Sequence, residues 1–196
     1  MQTDNELRVL AEPIELRAGK DGKPVLVGYA AKFNSRSHDL GGFVEIVAPG
    51  AFKTSLANKP DVRALYEHDP AKILGRATAG TLTLAEDGTG LRVEITPPDT
   101  TIGRDVLELV KRGDISGMSF GFRTISDTWH EDPDKRMVRT LQEVVLNEVS
   151  VVGQPAYPQT EIALRSLDRH RQVRQPADRR TLAAARCRLN RELLKR

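Results

Sequence analysis

Cysteine is almost absent from this 196-residue chain, Cys187 being the single example, so neither an internal disulfide nor a cysteine-built zinc site is available. Aromatic residues supply only 5% of the composition, which leaves a core to be built on Val, Leu, Ile and Ala. No apolar run approaches the roughly 20 residues of a membrane-spanning helix. The opening residues Met1-Gln2-Thr3-Asp4 lack the basic-then-apolar order of a secretory signal. The expectation is a protein made and used in a reducing cytoplasm. Net charge is small as well, at +3.

That charge is unevenly spread. From Asp168 to Arg196, ten Lys or Arg stand against three acidic residues, Asp168, Asp178 and Glu192, which leaves about −4 on the preceding 167 residues. The pattern predicts a mildly acidic domain followed by a basic extension. Ser166 to Arg180 is charged, interrupted by proline and poor in large apolar residues, and reads as a flexible linker. Thr181 to Leu194 places Leu182, Ala185, Leu189 and Leu193 on one helical face. The predicted division is a domain over 1–165 and a basic linker with a terminal helix over 166–196.

Within the domain the dominant signal is alternation. Residues 6–17 and 24–33 read as strands around the turn-forming run Ala18-Gly19-Lys20-Asp21-Gly22-Lys23, an opening hairpin. Phe43 to Val47 and Val62 to Tyr66 are further strands, with a short helix over Ala51 to Ala57 between them. Thr78 to Ala85 and Gly90 to Thr96 flank Glu86-Asp87-Gly88-Thr89, a hairpin signal because Asp-Gly supplies positive-φ positions. Thr101 to Lys111 gathers Ile102, Val106, Leu109 and Val110 on one face and stops at Gly113. A long strand reaching Trp129 then pairs, across Glu131 to Lys135, with Met137 to Val152. Seven or eight strands with two short helices predict a mainly β, α+β domain, mostly antiparallel and barrel-like or sandwich-like.

Chemistry is suggested first by Gly117-Met118-Ser119-Phe120-Gly121-Phe122. Strand alternation puts Met118, Phe120 and Phe122 on one face and Ser119 between two glycines on the other. That pattern leaves the hydroxyl accessible to another polypeptide, although glycine in a strand also marks bulges and close packing. A serine needs a base to take its proton as it attacks, and histidine is the usual one. Of the four histidines, His170 lies in the basic tail, His130 at a hairpin tip and His38 in a polar loop. His68 remains, at a strand end in Glu67-His68-Asp69-Pro70, although an isolated histidine is more often a surface or structural residue. A third group would orient the imidazole. In Leu146-Asn147-Glu148-Val149-Ser150-Val151-Val152, parity puts Glu148 on a face with Leu146, Ser150 and Val152, and a carboxylate there requires a partner. The partner is either an imidazolium or a structural arginine, Arg76 or Arg123, and the residues alone favour the structural pair. Asp69 competes as orienter, but sequence neighbours seldom reach each other's ring nitrogen.

These residues also carry a resemblance. Gly28-Tyr29-Ala30 with Phe33, Val47-Ala48-Pro49-Gly50-Ala51-Phe52, Tyr66-Glu67-His68-Asp69, Ile73-Leu74-Gly75-Arg76, Gly117 to Phe122, and Glu148-Val149-Ser150-Val151-Val152 with Pro155-Ala156-Tyr157 occur in one order. The series, spanning Leu7 to Leu167, resembles the prohead (capsid maturation) serine proteases of tailed bacteriophages, a family related in fold to the herpesvirus assemblin proteases.

The resemblance implies an antiparallel herpesvirus-protease-like β-barrel and a serine endopeptidase. Ser119 would be its nucleophile, His68 its general base and Glu148 its third member, where the herpesvirus branch has a second histidine. Arg76, in a Leu-Gly-Arg motif, would assist the oxyanion. No metal or organic cofactor is implied. The implied partners are the major capsid protein, its scaffold segment and the protease itself through self-cleavage, with homo-oligomerisation left open and no membrane involved. The implied location is inside a phage procapsid in the host cytoplasm, or a bacterial cytoplasm if prophage-encoded. The basic extension would be a removable targeting segment. Two other readings are a non-enzymatic capsid scaffold or assembly module, and nucleic-acid binding through the basic tail, which the lack of an aromatic-and-basic face in the domain disfavours.

Overall fold

Strand-forming runs dominate the computed structural model, which describes residues 5–19, 21–153, 165–168 and 170. In chain order the elements are β1 (Glu6–Leu10), β2 (Glu15–Ala18), β3 (Pro24–Lys32), β4 (Phe43–Val47), α1 (Lys53–Ala57), β5 (Arg63–Tyr66) and β6 (Asp69–Arg76). Then come β7 (Leu82–Glu86), β8 (Gly90–Ile95), α2 (Thr101–Arg112), β9 (Gly117–Glu131) and β10 (Met137–Val152). The chain is mainly β with few helices, as the alternation predicts. The segment expected as one strand over 6–17 is two, because Ala11 to Ile14 carry the chain from one sheet to the other. Asp69, read in the sequence only as part of a polar cluster at a strand end, opens β6.

The strands form two sheets. One has the order β1-β9-β10-β5-β6, with β4 also on β10, and the other is β2-β3-β8-β7. Among the described residues no ladder joins them, so strand pairing does not close the domain into a barrel. The first sheet is mixed rather than wholly antiparallel, since β4 and β5 both run parallel to β10. One edge of β10 meets three neighbours in succession. Met137 to Leu141 pair with β4, the Val144 and Leu146 N–H groups donate to Ala51 O and Ser55 Oγ at 3.0 Å each, and Glu148 to Val151 pair with β5. Helix α1, through Ser55, and the turn before it, through Ala51, thus accept hydrogen bonds that the interrupted ladder would leave unmade.

The two sheets and both helices enclose one core, in which Leu26, Val93, Ile95, Phe120, Phe122, Leu146, Val149 and Val151 meet Phe52 beside α1 and Val106 and Val110 of α2. Phe52 packs edge-on against Phe120 at 5.4 Å between centroids, and Phe120 stacks on Phe122 at 4.9 Å. Burying each such ring contributes about 1.5–3 kcal/mol. Helix α2 begins where Thr100 Oγ1 accepts the Gly103 N–H and ends at Gly113, whose φ of 82° is the left-handed stop foreseen from the sequence. A smaller cluster joins Leu40 and Phe43 to Leu167, with Trp129 and Met137 against it. The stretch read as linker therefore begins with a side chain that is packed, in a helical turn over 165–168. Pro155-Ala156-Tyr157, the remainder of the basic tail with Cys187, and the terminal helix expected over Thr181 to Leu194 lie outside the described residues.

Candidate active site

His68 is presented by a two-residue hairpin turn. Tyr66 pairs with Asp69 across it, and Glu67 and His68 both adopt left-handed backbone, at φ 52° and 58°, the requirement of a type I′ turn. The turn is tied to the end of β10, for the Glu67 N–H donates to Val151 O at 3.0 Å and Glu67 Oε1 accepts the Gly153 N–H at 2.6 Å. This anchoring carries the imidazole back over β10. There His68 Nδ1 lies 2.5 Å from Glu148 Oε1.

Glu148 reaches that position through a bulge. The β9–β10 register shifts between Leu146, opposite Phe122, and Glu148, opposite Gly121. The extra residue reverses the parity expected from the sequence. Leu146 is in the core, whereas Glu148 is on the opposite face with Ser150 and Val152. Its partner is His68 rather than an arginine. The neighbouring glycine then has a specific reason: a Cβ at Gly121 would stand 2.7 Å from Glu148 Cγ and 3.3 Å from Glu148 Oε1. Gly121 makes room for the carboxylate.

Ser119 lies on the same face, directly opposite Ser150 and next to the Gly121–Glu148 pair. Diagonal neighbours of this kind are about 7–8 Å apart. Contrary to the expected open hydroxyl, Ser119 is fully buried, and its Oγ donates to Arg8 O on β1 at 2.9 Å. His68 Nε2 is buried with no hydrogen-bond partner, and so is Ser150 Oγ. Asp69 does not orient the ring: its carboxylate accepts the Ala71 N–H at 2.9 Å and pairs with Lys72 at 3.2 Å. Arg76 gives its guanidinium to Asp61, at 2.8 Å from Nε with a further bond from Nη2. That is an exposed pair apart from the His68–Glu148 contact. His38, His130 and His170 are not part of this arrangement, and among the described residues no group of three or more His, Cys, Asp or Glu is disposed to hold a metal ion.

A buried ion network that sequence reasoning missed supports the strand carrying Arg8. Arg8 Nε reaches Glu45 at 2.8 Å and its Nη2 reaches Glu6 at 2.7 Å, while Arg139 bonds Glu6 at 2.7 Å, Glu45 at 3.1 Å, Asp127 at 2.7 Å and Thr124 at 2.8 Å. These contacts link β1, β4, β9 and β10. Burial by itself would push the Glu6 carboxyl up, but the hydrogen bond and charge of Arg139 and the charge of Arg8 outweigh it and hold Glu6 below its ordinary value. The available signal was Glu45, a charge inside the apolar run Phe43 to Val47.

A hydroxyl on a central strand and an imidazole with one nitrogen bound to a carboxylate, on a mainly β frame, are groups of the kinds that a serine peptidase uses. Residues 12–174 match the model of the caudovirus prohead serine protease, and the chain belongs to that family. Among its relatives is the prohead protease of Enterobacteria phage HK97, 31% identical over 156 residues that make up 79% of this chain and 66% of that protein. The fold is similar to that of the bacteriophage T4 capsid assembly protease, with a TM-score of 0.51 at 10% identity over 78% of this chain and 99% of the other.

Proposed function

We propose that this chain is a serine endopeptidase of capsid maturation in which Ser119 is the nucleophile, His68 the general base and Glu148 the group that orients it. The observation that carries the assignment is the 2.5 Å contact between His68 Nδ1 and Glu148 Oε1, which leaves Nε2 without a partner. A carboxylate at Nδ1 selects the tautomer with the proton on that nitrogen, so the lone pair is on Nε2, ready to accept. In the resting arrangement the Ser119 proton points to Arg8 O instead. A rotation of about 120° about χ1, from one staggered well to another, frees it. As Ser119 Oγ adds to the scissile carbonyl, His68 Nε2 takes its proton and then gives it to the departing amine. The acyl-enzyme is hydrolysed by water along the reverse course.

The substrates proposed are the scaffold segment of the major capsid protein and the protease itself, inside the procapsid in the host cytoplasm. The name of the HK97 relative supports the location in the prohead. The domain is proposed to occupy 1–165, with 166–196 as a removable targeting segment, a division supported by the charge asymmetry. Kinship with the herpesvirus-type barrel is likewise a proposal, supported by the packing of β1 and β9 from one sheet onto β3 of the other.

One observation favours a non-enzymatic assembly role, namely the complete burial of Ser119. Mass mapping of the capsid protein's N-terminus decides between the two. Co-expression with the native chain is expected to yield a shortened capsid protein, and with Ser119→Ala a full-length one; full-length product in both cases refutes the protease reading.

A further inference from the structure

Oxyanion stabilisation is the part of acyl transfer that His68, Glu148 and Ser119 do not supply. Serine hydrolases commonly obtain it from backbone N–H groups beside the nucleophile. Among the described residues, β9 is not such a source. Met118 to Phe122 pair with β1 along one edge and with β10 along the other, so the N–H groups flanking Ser119 are engaged in ladders. Arg76 is engaged by Asp61. On the Ser119 face, Ser150 holds a hydroxyl that is 1% exposed and has no partner. Leaving such a group unpaired is destabilising. In the register it stands directly opposite Ser119, where Cβ atoms are about 4.5–5.5 Å apart.

We infer that Ser150 is a catalytic residue whose O–H donates to the oxyanion formed when Ser119 adds to the substrate carbonyl. The inference rests on the reading of Ser119 as nucleophile. During addition the new bond forms between Ser119 Oγ and the carbonyl carbon. The π electrons move to the carbonyl oxygen, the Ser119 proton passes to His68 Nε2, and Ser150 keeps its own proton while hydrogen-bonding the new charge. On collapse the C–N bond breaks and the proton leaves His68 with the amine. Ser150 gains in the intermediate the partner it lacks at rest, so the interaction strengthens along the reaction coordinate, which is the condition for accelerating it.

The test uses the full chain and a peptide spanning the mapped capsid junction. Ser150→Ala is expected to lower kcat by about 10²–10³-fold with KM and the acidic limb of the pH profile unchanged. Its melting temperature should be equal or higher, because a buried unpaired hydroxyl has been removed. Ser150→Cys, close in volume and a weak donor, guards against a packing defect and should fall between the two. A kcat within threefold of the native value in folded Ser150→Ala overturns the inference, as does a shifted acidic limb, which would mean that Ser150 acts through His68. Ser119→Ala separates the two claims: activity surviving there refutes the nucleophile assignment itself, whereas an inactive Ser119→Ala beside a fully active Ser150→Ala refutes the oxyanion role alone.

Discussion

Replacing Gly121 by alanine tests the geometry of the site with one methyl group placed on the opposite strand. Residue 121 is not at a positive φ, so alanine meets no backbone penalty there and its whole effect is steric. The new Cβ would lie 2.7 Å from Glu148 Cγ and 3.0 Å from Leu7 Cδ2. Restoring an ordinary contact of 3.4 Å moves the glutamate by about 0.7 Å, the difference between 3.4 and 2.7 Å. The carboxylate is 2.5 Å from His68 Nδ1 and has no slack in that direction. Overpacking of this kind costs about 1–3 kcal/mol of stability, and a displacement approaching 1 Å in a catalytic group costs up to about 10²-fold in rate. Gly121→Ala is therefore expected to reduce kcat by about 10- to 100-fold and to lower the melting temperature by several degrees. Gly117→Ala is the control, since its nearest contact is Val152 Cγ2 at 3.3 Å on the other side of Ser119, and it should be close to native. Peptide cleavage and thermal melting on the same samples provide the readout. Native kcat in Gly121→Ala would refute the claim that this glycine exists to admit Glu148.

Glu148→Gln keeps the shape of the side chain but removes the charge that favours imidazolium, so kcat should fall by about 10²-fold or more, and native turnover would refute the orienting role. Arg139→Met leaves Glu6 and Glu45 buried with Arg8 as their remaining arginine partner, a loss of about 3–5 kcal/mol readable by urea denaturation. Glu6 is held below its ordinary value when folded. Its contribution is therefore complete above the unfolded carboxyl range and lost as pH falls through the lower folded value. Melting temperature should drop below about pH 4, and less steeply in Glu6→Gln.

How far the sequence could be read depended on whether a signal was local. The Asp87-Gly88 hairpin, the helix from Thr101 stopped by Gly113, and the turn after Glu131 are set by near neighbours, and each is where it was expected. The exit of the chain from one sheet at Ala11 does have a local signal, since Val9-Leu10-Ala11 interrupt the alternation of Glu6 to Arg17 and Pro13 follows, but the expected hairpin with residues 24–33 overrode it. The parity of Leu146 and Glu148 was misread as well. Beside the bulge at Asn147 the Leu146 N–H donates to Ser55 of α1 rather than to a strand, a contact 91 residues away in sequence. The glycines beside Ser119 suggested an open approach, yet Gly121 is filled by a side chain from the neighbouring strand. Ser119, His68 and Glu148 could each be singled out by residue type and motif, but the contact between the last two required the left-handed turn at Glu67 and His68. Arg8, Glu45 and Arg139 gave no joint signal, since charges on three separate strands become a network only when the register is known.

The position of Ser119 inside the sheet also bears on how a substrate is read. A peptidase whose nucleophile flanks an open strand edge can hold its substrate by backbone pairing, largely independent of side-chain identity. Here β9 has no open edge beside Ser119, and the first sheet ends at β1 on one side and at β6 on the other. With Ser119 as the proposed nucleophile, a polypeptide would have to approach from above the face and lie across the strands. Its selection then falls to the side chains standing on that face, Leu7 and Val9 of β1 among them, so cleavage preference should follow substitutions at those residues more than the extended conformation of the target.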